Sequence, residues 1–181
     1  DVDGAAIALS VGAGLEGHAD NAAASALGGF TVAAWECAVS LGVPAGVELF
    51  VWWPAASTST EASRRVLPDA VPLADAAFSI GRAALWVAAI ARGDLDLLRE
   101  ASRDRVHQPG RLAARPDAAA VLEHLLGQDA VLAAWLSGSG PTVAALVPSA
   151  TEPSSLLAEL PFEGRTRRLA IDPNGVRTLN P

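Results

Sequence analysis

Apolar and polar positions recur with different periods along this chain, and the periods predict its elements. Leu73, Ala77, Ile80, Ala84, Val87 and Ala91 fall at spacings of four and three, which places them on one side of a helix. Asp75, Ser79 and Arg82 repeat the same spacing on a second side. A helix over Val71–Ala91 is therefore expected, with its apolar stripe facing a core, and Arg92-Gly93-Asp94 ends it. Two charges interrupt this longest apolar stretch, so it reads as a buried helix rather than a membrane span.

Elsewhere the period changes to two. Val47–Trp53 alternates and reads as a strand after the Pro/Gly turn at Gly42–Gly46. Phe30–Trp35, Val131–Leu136, Thr142–Val147 and Arg165–Ile171 are further β-prone runs. Helical patterns cover Asp1–Gly14, Ala22–Leu27, Leu95–Ser102, Asp117–Leu126 and Ser154–Leu160. Ser57, Thr58, Ser59 and Thr60 before Glu61 form a helix-capping signature. From Val47 onward the order is strand, helices, strand, strand, helix, strand, that of a ferredoxin-like α+β layer. Residues 46–181 can thus make a complete domain. Residues 1–45 offer a helix and one strand, too little to form a domain alone.

Composition narrows the possible partners. The chain is 51% hydrophobic and 18% charged, enough apolar mass for a sizeable core. Its net charge is −7, and it has no basic tract, which argues against a nucleic-acid surface. The single cysteine, Cys37, cannot pair within the chain. It fits a reducing cytoplasm and the place of a small buried hydrophobe. Methionine is absent, the initiator included, so the gene is expected to begin upstream of Asp1.

Chemistry-bearing residues cluster at three places. "EGHADN" puts Glu16, His18, Asp20 and Asn21 within six residues. Asp20 or Asn21 could cap the helix that follows. Capping needs one such residue, and four suit a cation or a small polar ligand. Zinc is disfavoured, because no second His or Cys lies at ligand spacing. "SGSGP", Ser137, Gly138, Ser139, Gly140 and Pro141, is either a hairpin turn or a nest of amides for an anion; it lacks the lysine of a P-loop. Arg82 lies on an otherwise apolar helix, with Asp75 its candidate ion-pair partner, and Arg111 lies in "HQPGR", a proline-glycine loop. Two such arginines could grip a carboxylate at two points. His107 and His124 have no partner evident from spacing and read as surface or satisfied histidines.

"EGHADN", "FSIGRAAL", "DRVHQPGR" and "AAWLSGSGPTVAAL", in this order, resemble homoserine kinases of the GHMP small-molecule kinase superfamily over about Leu15–Ile171. The resemblance implies a ferredoxin-like C-terminal domain (46–181) after a remnant of the superfamily's N-terminal, ribosomal-protein-like domain (1–45). It implies ATP-dependent phosphorylation of the L-homoserine hydroxyl to O-phospho-L-homoserine, a step of threonine biosynthesis. Glu16 would hold the Mg²⁺ of ATP. Asp20 and Asn21 would act at the reacting hydroxyl, and His18, Asp20 and Asn21 would bind the amino acid. Arg82 and Arg111 would grip its carboxylate, and Ser137, Gly138, Ser139 and Gly140 would close over the substrate. The implied partners are L-homoserine and ATP, with no nucleic acid, no membrane, and a homodimer as the expected assembly. Departures are Ala19 in place of proline and Gly110 in place of a bulky aromatic. The superfamily's glycine-serine ATP phosphate loop is absent from the sequence, so this chain alone is expected to be inactive. Two alternatives remain open at this point. One is a GHMP kinase for a mevalonate-like or sugar alcohol; the other is a non-catalytic ferredoxin-like module that binds an amino acid.

Overall fold

The computed structural model describes the chain apart from residues 1, 35–36, 56–64, 153–155, 157–159 and 178–181. The capping signature before Glu61 lies outside the described residues. So does most of the helix expected over Ser154–Leu160, of which Leu156 is helical and fully buried. The chain forms two compact units. One comprises Asp1–Ala45, Ile90–Gly93 and Ile171–Pro181; the other comprises Gly46–Ala89 and Asp94–Ala170.

The first unit contains helices α1 (Val2–Glu16) and α2 (Asp20–Leu27) and strands β1 (Phe30–Ala34) and β2 (Cys37–Leu41). The strands pair antiparallel, Phe30 opposite Leu41 and Val32 opposite Val39. A single strand is expected here from sequence. The second escapes because "CAVSL" carries one β-branched residue among weak strand formers. Cys37 sits on that strand and is exposed, which corrects the expectation of a buried thiol. A Cβ on Gly12 would lie 3.0 Å from the Cβ of Ala22, so α1 and α2 pack closely at this point. The C-terminal segment returns to this unit. Gly29 N–H donates to the Asp172 carbonyl at 2.8 Å, and Val176 N–H to that of Ala26 at 3.1 Å. Gly28, at φ 69°, permits the approach: a Cβ there would fall 2.4 Å from the Gly175 nitrogen.

The second unit runs β3 (Val47–Trp53), α3 (Leu73–Arg92, of which the residues from Ile90 on belong to the first unit), a 3₁₀ turn (Leu95–Leu97), α4 (Leu98–Ala101), α5 (Gln108–Ala113), α6 (Pro116–Leu126), β4 (Ala133–Leu136), β5 (Val143–Pro148) and β6 (Arg165–Leu169). Its sheet has the order β4-β5-β3-β6, every neighbouring pair antiparallel. That is the ferredoxin-like strand order, and the expected α+β class holds. Alternation sorts the faces. Phe50 and Trp52 of β3 and Val143, Ala145 and Val147 of β5 join Val121, Leu122 and Leu125 of α6 in one buried cluster. Each of the larger side chains there contributes roughly 1.5–3 kcal/mol by leaving water.

α3 is turned the opposite way from its sequence reading. Leu73 and Ile80 are 86% and 70% exposed, and Ala77, Ala84 and Ala91 are exposed beside them. The polar stripe instead meets the segment that follows the helix. Ser79 Oγ donates to Asp104 Oδ1 at 3.0 Å, Arg82 pairs with Glu100 at 2.7 Å, and Arg105 pairs with Asp75 at 3.5 Å. Those partners remove the cost that unpaired polar groups would have had on the inner side. Phe78 lies under the guanidinium groups of Arg82 and Arg105, 4.4 and 4.0 Å from its ring centre. Trp86 meets Trp135 of β4 edge-on, with ring centres 5.4 Å apart. α3 is long and apolar enough to span a membrane by length and composition, yet it lies largely at the surface rather than buried as expected.

Candidate functional site

The "EGHADN" residues occupy the turn between α1 and α2. Gly17, at φ 74°, ends α1 and donates its N–H to Ala13 O at 2.9 Å. The N-cap of α2 is Ala19, and no side chain caps the helix. The capping expectation for Asp20 and Asn21 is therefore not met. Asp20 is already the first helical residue, and its carboxylate turns to other partners. Asp20 Oδ1 lies 2.9 Å from His18 Nδ1 and accepts the Asn21 N–H at 2.9 Å. Glu16 Oε2 approaches the same His18 nitrogen at 3.7 Å. One ligand atom each from Glu16, His18 and Asp20 lies within 4.8 Å of the others, all three side chains being exposed.

This donor set fits Mg²⁺. Two carboxylates at an exposed position suit a hard cation that keeps waters and takes phosphate oxygens as further ligands. His18 Nδ1, in hydrogen-bond range of a carboxylate, acts as a donor there and leaves the cation to the oxygens.

The other candidate residues lie in the second unit. "HQPGR" is not a loop: it forms the short helix α5, whose first turn accommodates Pro109. Asp104 organises its start. Asp104 accepts the backbone N–H groups of Val106, His107 and Gln108 at 3.1, 2.8 and 2.7 Å, in addition to the Ser79 hydroxyl. Burial would raise the carboxyl's pKa, but these amide donors outweigh it and hold it below the usual aspartate value. Gln108 is 7% exposed, and both polar atoms of its side chain are hydrogen-bonded. Its Oε1 accepts the Leu136 N–H at 2.8 Å, and its Nε2 donates to Ser102 O at 3.3 Å. One turn on, Arg111 Nη1 donates to Gly138 O at 2.8 Å and lies 3.2 Å from His107 Nδ1. Gly110 has a physical reason too, because a Cβ there would fall 2.8 Å from the Val66 carbonyl oxygen.

Ser137–Gly140 turns the hairpin between β4 and β5, with Gly138 and Gly140 at φ 55° and 75°. Ser137 N–H donates to Thr142 O at 2.8 Å and Gly140 N–H to Ser137 O at 2.9 Å. Those two amides serve the turn and are not offered to an anion. Arg82 is held by Glu100, not by Asp75 as spacing suggests, since Asp75 pairs with Arg105.

The structure thus brings Glu16, His18, Asp20 and Asn21 together at one turn, and Arg111 together with the Ser137–Gly140 loop at another. Arg82 stands apart on its own ion pair. Sequence reasoning missed Asp104, Gln108 and His107 as organising groups. The one signal was an aspartate just before "HQP", the spacing of a side-chain cap.

Residues 86–166 match the family model described as "GHMP kinases C terminal". A homoserine kinase from Thermus thermophilus is 42% identical over 166 residues, covering 89% of this chain and 56% of that protein. Homoserine kinase from Streptomyces coelicolor is 37% identical over 182 residues, 98% of this chain and 57% of its own length. The crystal structure of homoserine kinase from Cytophaga hutchinsonii superposes with a TM-score of 0.76 at 26% identity, covering 87% of this chain and 53% of that one. The chain therefore spans a little over half the length of these relatives.

Proposed function

The chain belongs to the GHMP kinases and matches homoserine kinases over most of its length, and from this we propose that it serves ATP-dependent phosphorylation of L-homoserine. The observation that carries the reading is the convergence of Glu16, His18 and Asp20 at one exposed turn. Glu16 is the residue to hold the magnesium ion of ATP, with Asp20 beside it. When bound, the cation neutralises charge on the phosphate oxygens during transfer. Asp20 and Asn21 orient the hydroxyl and amino groups of the substrate, and His18, hydrogen-bonded to Asp20, fixes that carboxylate. Arg111 captures the substrate carboxylate; among the described residues its Nη2 has no partner, while Nη1 is held by Gly138. Arg82 is the second arginine of the clamp and would exchange Glu100 for the ligand. Ser137, Gly138, Ser139 and Gly140 border the substrate. ATP and L-homoserine are the partners of this reading, threonine biosynthesis its pathway, the cytoplasm its location and a homodimer its assembly.

The test is a chimera in which this chain replaces the matching part of Thermus thermophilus homoserine kinase, assayed for homoserine-dependent ADP release. The reading expects turnover in the chimera. Glu16→Gln should abolish it at unchanged melting temperature, because the amide keeps the size of the side chain and loses the charge that balances the cation. A folded chimera without homoserine-dependent turnover overturns the substrate. An active Glu16→Gln variant with an unaltered magnesium requirement overturns the metal role.

A further inference from the structure

Arg111 reaches the hairpin loop from a helix of six residues, and two side chains of that helix bear on how it is held. Gln108 pins the helix to β4 through the Leu136 N–H, immediately before Ser137. His107 then contacts the guanidinium itself, 3.2 Å from Nδ1 to Arg111 Nη1. A guanidinium can only donate, so Nδ1 must be the acceptor and the ring proton must sit on Nε2. Nε2 faces Asp104 Oδ2 at 4.0 Å, where an N–H is favoured. Both contacts select the same neutral tautomer.

Resting on the carboxylate-capture reading, we infer that the neutral His107 ring is a positioning residue: it holds Arg111 over the Ser137–Gly140 loop, and protonating the ring releases it. A protonated ring offers no lone pair at Nδ1 and sets a second positive charge against the guanidinium. The charged groups that bear on the ring are Asp104 from the preceding segment and Arg111 from its own helix; the hairpin contributes a backbone carbonyl through Gly138. Burial, aided by Arg111 and opposed by Asp104, keeps the ring's pKa below the ordinary histidine value of 6.5. The positioned state is therefore the one present at neutral pH, and acid removes it.

The experiment is proton–nitrogen correlation NMR of the His107 ring and the Arg111 guanidinium in the full 181-residue chain, between about pH 5 and about pH 8. At the upper end, His107 should be neutral with its proton on Nε2, and the Arg111 Nη protons should be resolved by hindered rotation. As His107 protonates, those signals should shift and average with the same midpoint. His107→Gln, which keeps a neutral acceptor, should hold them resolved throughout, and His107→Phe should average them throughout. A proton on Nδ1 at high pH, or Arg111 signals indifferent to the His107 midpoint, overturns the inference without any variant. L-Homoserine affinity by calorimetry forms the second arm. It should fall on acidification in the native chain, stay flat in His107→Gln, and drop about tenfold or more in Arg111→Ala. If the NMR behaves as expected but Arg111→Ala leaves homoserine binding unchanged, the ligand reading fails and the positioning stands.

Discussion

Arg82 and Arg111 differ in the company they keep, and that difference sets what their substitution should do. In the chimera, Arg111→Ala removes a guanidinium whose Nη2 takes the substrate carboxylate in the proposed reading. It should raise the KM for homoserine by about tenfold to 150-fold, the equivalent of about 1.5–3 kcal/mol for a charge-assisted hydrogen bond, and should leave that for ATP unchanged. Arg82→Ala removes one of the two arginines that pair with Glu100, Arg103 remaining at 3.0 Å, so homoserine KM should rise together with a modest loss of thermal stability. Steady-state kinetics with each substrate varied, alongside melting curves, separates the two. A rise in the ATP KM alone would remove both arginines from the clamp. Asp104 gives a pH prediction at the same scale. Its folded pKa lies below the unfolded 3.8, so its stabilisation is complete above that value and is lost as pH falls through the folded pKa. Acid unfolding of Asp104→Asn should therefore be shallower in that range, starting from a lower stability at neutral pH. A variant with an unchanged acid limb would show that the carboxylate's hydrogen bonds contribute nothing.

At the level of elements, the sequence made α3, the four strands of the larger sheet and α6 legible, and it misjudged the orientation of α3. Periodicity establishes that a helix has two sides; it says which side is inside only when one is plainly more polar. Here Asp75, Ser79 and Arg82 find partners in the segment after the helix, at Arg105, Asp104 and Glu100, and such long-range pairs leave no mark on local spacing. β2 stayed hidden for want of strand formers, and α5 because Pro109 and Gly110 read as a loop. The Glu16–Asn21 cluster was visible because its members are sequential, whereas the contact of Arg111 with Gly138 joins residues far apart in the chain. The inverted orientation is checkable by chemical denaturation. Ile80→Ala, on the exposed side, should change stability by no more than about 0.5 kcal/mol. Leu125→Ala, in the α6 core, should cost about 2–5 kcal/mol. A large loss at Ile80 would mean that the apolar stripe is covered after all.

Across the whole molecule, one unit is drawn from two stretches of chain and the other from three. Residues 171–181 belong with the first 45, through the bonds from Gly29 to Asp172 and from Val176 to Ala26. Deleting 171–181 should therefore raise hydrogen exchange in α2, β1 and β2 while leaving β3, β5 and α6 protected. Uniform loss of protection in both units would refute that division. The same return of the chain bears on how the protein is made. The helices and hairpin of the first unit leave the ribosome ahead of the second unit, but the backbone that closes around Gly28 and Gly29 emerges after it. The second unit, drawn from residues 46–89 and 94–170, does not need the tail and can fold while it is still being added. The first unit can only wait, so of the two units the one synthesised earlier is completed later.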